Sequence, residues 1–206
     1  VYSVSKEQRI YERLLEKETV DAILEMEILP EIAVEVLVEG VPYTEQRYVE
    51  DPAQFGATEY GIRYIKETRH GLSDIRGFLR EHRSSVDGIN FISDDPILRE
   101  QLARRLREQK LPITLTSSVP HLLEVSHMLS DKGQTLLWLL KKLGISTEET
   151  MTFGDAENDI PMLCAVRYGI AMENAAKACK EAAYAVTGSN TEDGVAQKIQ
   201  QLTGIK

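Results

Sequence analysis

No apolar run in this chain approaches the length of a membrane span, and no signal peptide is expected at its start. Cysteine is scarce. Cys164 and Cys179 lie in small-residue, apolar contexts with no zinc or disulfide spacing, so reduced thiols and a cytoplasmic setting are expected. Basic charge is also short: 24 Lys and Arg against 33 Asp and Glu give a formal net charge of −9. That balance disfavours a nucleic-acid partner, because neutralising phosphates takes a basic face. The basic cluster Arg104, Arg105 and Arg107 is interleaved with Glu100 and Glu108 and reads as a solvated helix face. An initiator methionine is missing, and the chain opens directly on the strand-like Val1-Tyr-Ser-Val4. What remains is an ordinary globular composition, 42% apolar over 206 residues, enough for one large or two small domains.

The pattern along the chain changes once. Residues 1–14 read as a hairpin, with a polar turn around Ser5-Lys-Glu7. Residues 15–127 mix helices with antiparallel strands, an α+β module. Val20, Ile23 and Leu24 have helical spacing, and Val34, Val36 and Val38 alternate as in a half-buried strand ended by Gly40-Val-Pro42. Residues 50–72 are broken by Pro52, Gly56, Gly61 and Gly71 and read as loop or short helices. A helix is expected at Ile75, Phe78 and Leu79, and a strand over 86–92. Asp95 caps a helix with the stripe Leu98, Leu102 and Leu106, and strands at 113–116 and 122–125 follow.

From residue 128 to 206, helices alternate strictly with short apolar strands. Helices are predicted over 132–143, near 159–166, around 175–184 and over 195–202. Strands are predicted at 151–153, 169–172 and 185–187. Gly144 ends the first helix, and Ser146 with Glu149 suggests a capping box. Such alternation implies parallel pairing with right-handed crossovers, part of a doubly wound α/β core.

Ligands of open parallel sheets bind beyond the carboxyl ends of the strands, and there the chain carries Met151-Thr-Phe-Gly-Asp-Ala-Glu-Asn-Asp-Ile-Pro161. Asp155 follows the strand directly, with Asn158 and Asp159 at the next helix start. A hard cation such as Mg²⁺ needs only one or two protein carboxylates beside phosphate and water. For Asp159 a helix-capping role is as good a reading. An EF-hand is excluded, because Ile160 stands where its glycine would be. Lys132 opens a helix, where a cation opposes the macrodipole by about 0.3–1 kcal/mol unless an anion is near. A phosphate there would reverse the sign; the plainer reading is an exposed lysine beside Asp131.

Four stretches together resemble one family. They are Asp131-Lys-Gly133, Phe153-Gly-Asp-Ala-Glu-Asn-Asp-Ile160, Gly169-Ile-Ala-Met-Glu-Asn-Ala175 and Ser189-Asn-Thr-Glu-Asp-Gly-Val195. The sequence is similar to the haloacid dehalogenase superfamily, and within it to the Cof-type phosphatases with an inserted α+β cap. The resemblance implies a hairpin and core at 1–14 and 128–206, a cap at 15–127, and a Mg²⁺-dependent phosphatase of small phosphorylated metabolites. It implies that Lys132 holds the phosphate, Asp155 the Mg²⁺ and Asn158 the phosphate. Asp159 matches a supporting acidic position at the metal, and Asn190 a loop residue near the site. It also marks a departure: the family's Asp-x-Asp-Gly-Thr nucleophile motif occurs nowhere here, and Asp94-Asp-Pro96 is a helix cap. The chain is therefore expected to be an N-terminally truncated, inactive portion, or else a non-catalytic binding module. A phosphotransferase would use the same half-site. Tyr43, Tyr48, Tyr60 and Tyr64 could line a cap surface, and Arg47, Arg63 and Arg69 could meet an anionic substrate. His121, His127 and Trp138 read as structural.

Overall fold

Helix and strand signals of different spacing produce two larger sheets of different kind beside a short hairpin. A computed structural model describes residues 1–204 and divides into two compact units, Val1–Leu129 and Ser130–Lys206.

In the first unit, β1 (Tyr2–Ser3) and β2 (Gln8–Arg9) form a minimal antiparallel hairpin. There follow α1 (Lys17–Glu25), β3 (Ala33–Val38), β4 (Val41–Glu45), α2 (Gln46–Glu50), α3 (Glu59–Thr68) and β5 (His70–Leu72). The unit continues with α4 (Ile75–Glu81), β6 (Val86–Ile92), α5 (Pro96–Glu108), β7 (Ile113–Thr116) and β8 (Leu122–His127). The six longer strands form one sheet in the order β5-β4-β3-β6-β8-β7, antiparallel except for the β4–β5 pair. Helices α1, α4 and α5 bury Val20, Ile23, Ile75, Leu79, Leu102 and Leu106 with Val34, Val36, Ile89, Phe91 and Val125 in the main core. Asp95 Oδ1 caps α5 as its position predicts, accepting from the N–H groups of Ile97 and Leu98.

Two expectations need correction. Strand β3 is not half-buried, because its other face is covered too: Ala33 and Ile92 pack there with Tyr48, Phe55 and Ile65, brought by α2, a 3₁₀ turn and α3. Glu35 is thereby buried to 2% exposure. It survives there because Arg69 Nε donates to it at 2.8 Å and Asn90 Nδ2 at 2.9 Å. Burial, and next the Glu35 charge, push the Tyr48 phenol up to about 12 although Arg69 opposes them. Secondly, β3 ends at Val38 as expected, but Val41 and Pro42 belong to the next strand and not to a break. Glu39 and Gly40, at φ +54° and +79°, make the tight turn into β4. Pro42 is tolerated because pairing with β5 starts only at Tyr43.

The second unit follows its sequence pattern closely. It comprises α6 (Lys132–Leu143), β9 (Met151–Gly154), α7 (Ile160–Cys164), β10 (Tyr168–Ala171), α8 (Lys177–Ala182), β11 (Ala185–Val186) and α9 (Gly194–Thr203). Its three strands pair in parallel in the order β11-β10-β9, the α/β architecture that the alternation implies. Leu163, Ala171, Met172, Ala175 and Cys179 form the core, with Phe153 and Ile160 at its margin. Helix α7 is shorter than its apolar period suggests, because residues Glu157–Asp159 form a 3₁₀ turn.

Candidate functional site

Strand β9 delivers the chain to Gly154, and the loop beyond it folds back on itself. A side chain at Gly154 would collide with Asp159, so glycine is what lets the Asp159 carboxylate enter the turn. Asp159 Oδ2 accepts the backbone N–H of Asp155 at 2.9 Å and of Ala156 at 3.2 Å. Its Oδ1 accepts a hydrogen bond from Lys132 Nζ. The residue is only 5% exposed. Burial acts to raise its pKa, but the Lys132 bond and the two backbone donors prevail and hold it below the usual carboxylate range.

Lys132 sits in the first turn of α6, whose N-cap is Asp131, accepting from Gln134 N–H at 2.8 Å. Helix and loop are locked close. A Cβ at Gly133 would lie 2.5 Å from the carbonyl oxygen of Pro161, so only glycine allows this approach. The lysine's unfavourable place on the macrodipole is thus offset by a protein carboxylate, and about half of its side chain stays exposed. Lys132 and Asp155 accordingly belong to one cluster, joined through Asp159.

Asp155 is exposed, and Asn174 Nδ2 approaches its Oδ2 at 3.4 Å. Asn174 Oδ1 in turn accepts the backbone N–H of Asn190 at 3.1 Å. Asn158 lies within the 3₁₀ turn, and its Oδ1 is buried with no hydrogen-bond partner. The five expected positions therefore lie on two neighbouring loops and one helix start. Asn174 joins them unforeseen. It lies three residues past the end of β10, and its place beyond the carboxyl end of a parallel strand is the signal that could have found it.

This donor set suits part of a Mg²⁺ shell. Asp155 offers an exposed carboxylate and Asn158 an orphaned amide oxygen, both hard oxygen donors, whereas no group of three His, Cys, Asp or Glu converges among the described residues. The two oxygens of Asp159 together serve three donors, the Lys132 ammonium and the backbone N–H groups of Asp155 and Ala156.

Other candidates have structural employment. Arg69 pairs with Glu35, Arg63 with Glu67, and Arg47 with Glu45 and the carbonyl of Ile32. Tyr48 is core and Tyr43 packs at a tilt against Phe78, while Tyr60 and Tyr64 are exposed. His127 Nδ1 accepts from Leu129 N–H at 3.0 Å, and Lys142 lies over the Trp138 ring at 4.9 Å. A pocket of about 280 Å³ in the first unit is walled by Glu31, Gln54, Phe55, Ser93, Asp94 and Asp95. Its acidic lining would repel a bare phosphate.

Known proteins share this arrangement of chain. A family model described as haloacid dehalogenase-like hydrolase matches residues 1–199. Phosphatase YwpJ of Bacillus subtilis is 46% identical over 142 residues, covering 67% of this chain and 50% of that protein. The 5-amino-6-(5-phospho-D-ribitylamino)uracil phosphatase YcsE of the same organism is 36% identical over 128 residues, covering 61% and 51%. The chain thus spans about half the length of these curated relatives. A solved haloacid dehalogenase-like hydrolase from B. subtilis superposes with TM-score 0.78 at 27% identity, over 96% of this chain and 74% of that one. With fold, motif positions and family model in agreement, the chain belongs to the haloacid dehalogenase-like hydrolases.

Proposed function

We propose that this sequence is the cation- and phosphate-holding portion of a Mg²⁺-dependent phosphatase of small phosphorylated metabolites, with residues 15–127 as its cap domain. The observation that carries this is the chain of contacts from Lys132 through Asp159 to the Asp155 loop, which joins an ammonium to the loop of an exposed carboxylate at one sheet end. The relatives named phosphatases support the reaction class, and the two unpaired thiols, Cys164 and Cys179, suit a cytoplasmic protein.

Asp155 and Asn158 would hold the Mg²⁺, which when bound neutralises charge on phosphoryl oxygens. Lys132 supplies a preorganised positive charge for the phosphoryl group as negative charge develops. Asp159 keeps that ammonium aimed and closes the loop. Asn190 supports the loop after β11. The nucleophilic carboxylate of the family is not among residues 1–206, so aspartyl-phosphate formation needs a residue from outside them. A phosphotransferase would differ only in the acceptor.

The absent nucleophile motif favours one second reading, a non-catalytic binding module. Two assays separate the readings. The 206-residue chain should hydrolyse a generic phosphate ester with Mg²⁺ no faster than buffer. Fused behind an Asp-x-Asp-Gly-Thr segment from a family member, it should turn over and lose at least about 100-fold in rate on Asp155→Ala or Lys132→Ala. Turnover by the unfused chain that vanishes in Asp155→Ala would contradict the assignment of the nucleophile. A folded fusion indifferent to Asp155→Ala would remove the phosphatase site.

A further inference from the structure

We infer that Asn174 is a positioning residue that fixes the Asp155 carboxylate for its cation by tying three strand-end loops together. The inference rests on the metal-site reading above and adds a residue to it. Asn174 projects from the loop after β10. It donates from Nδ2 toward Asp155 Oδ2 at 3.4 Å, in the loop after β9, and accepts at Oδ1 from Asn190 N–H at 3.1 Å, in the loop after β11. An amide has one donating end and one accepting end, and these two partners demand opposite ends. A flipped amide would set its carbonyl against a carboxylate and its NH₂ against an N–H, so the orientation is fixed by its neighbours.

The backbone gives the same loops their spacing. Ala176 N–H donates to the Asp155 carbonyl at 2.9 Å, Met172 N–H to the Gly154 carbonyl at 3.0 Å, and Glu173 N–H to the Gly188 carbonyl at 3.4 Å. Residues 172–176 therefore hold both neighbouring loops by main chain, and Asn174 adds a side chain that reaches from Asp155 to the third loop. Asp155 is exposed and directly follows a strand end, so without that contact its carboxylate would rotate freely about its side-chain bonds. Groups that orient a metal-binding carboxylate typically contribute 10–100-fold in affinity. The 3.4 Å separation is long for a hydrogen bond and places the expected effect at the lower end of that range.

The test is a Mn²⁺ titration of the intact 206-residue chain, followed by paramagnetic broadening of its amide NMR signals. In the parent, the Asp155 backbone amide and the Asn174 side-chain NH₂ should broaden over the same Mn²⁺ concentrations. In Asn174→Ala, with the remaining spectrum unchanged, the concentration needed at Asp155 should rise about tenfold. A shift of less than twofold in that variant would overturn the inference and leave the metal site standing. So would an Asn174 NH₂ that stays sharp in the parent while Asp155 broadens, a result that needs no variant to fold. No broadening at Asp155 in the parent would overturn both the inference and the metal-site reading.

Discussion

At the scale of single residues, Asp159 is the member on which the site's geometry turns. It accepts from an ammonium and from two backbone N–H groups while nearly excluded from water. Its folded pKa lies below its ordinary value, so its contribution to stability is full above the ordinary carboxylate range and is lost as pH falls through the depressed value. Asp159→Asn should therefore cost about 1–3 kcal/mol at neutral pH, and the gap from the parent should close in acid. Denaturant melts at several pH values measure this; a gap that widens in acid would contradict the role. Lys132→Met should cost less, about 1 kcal/mol or under, because half of that side chain faces solvent.

The sequence carried much of this. Asp155 was legible because it directly follows a buried strand, and Lys132 because a cation at a helix start needs an anion. That the anion is Asp159 was not legible: a carboxylate five residues past a glycine serves equally well as a cap, a ligand or a loop clasp. Only the close approach permitted at Gly154 decides among them. Asn174 was hidden for a related reason, since a single exposed asparagine has no periodicity.

At the scale of elements, two glycines set how closely α6 approaches the β9 loop. Gly133→Ala would drive a methyl group into the Pro161 backbone, where no flexible side chain can yield. It should destabilise the second unit by about 1–3 kcal/mol, within the usual range for overpacking, and push Lys132 away from Asp159. A melt together with the Lys132 ammonium NMR signal reports both effects. The same change at exposed Gly144, which has open space around it but φ +69°, should cost only about 1 kcal/mol through backbone strain. Helix α6 has its expected bounds, and α5 starts at its expected Asp95 cap. The sheet of the first unit was harder to read: β4 contains a proline, β5 is three residues long, and α3 begins in a glycine-broken stretch. Those elements exist because Tyr48, Phe55 and Ile65 have the far side of β3 to cover, a tertiary cause invisible in any local window.

At the scale of the whole molecule, the two units differ in how much core supports them. The first buries two apolar clusters on opposite faces of a six-stranded sheet, the second one small cluster beside three strands. Amides of β9 and β10 should therefore exchange faster than those of β3 and β6 in a hydrogen-exchange experiment. The first unit has its own weak point. Arg69→Ala would leave the Glu35 charge buried with Asn90 as its remaining side-chain donor. It should cost about 3 kcal/mol or more, and Glu35→Gln on the same background should recover part of the loss. A double-mutant cycle by thermal melts measures it.

The most direct test of the account is an NMR titration of the 206-residue chain with orthophosphate in the presence of Mg²⁺. The central claim predicts shifts confined to the start of α6, the 155–159 loop, and Asn174 with Asn190, and it predicts that Lys132→Ala weakens the phosphate response about tenfold or more. Shifts that ignore these loops, or a response unchanged by Lys132→Ala, would contradict the claim that they form one phosphoryl-holding site.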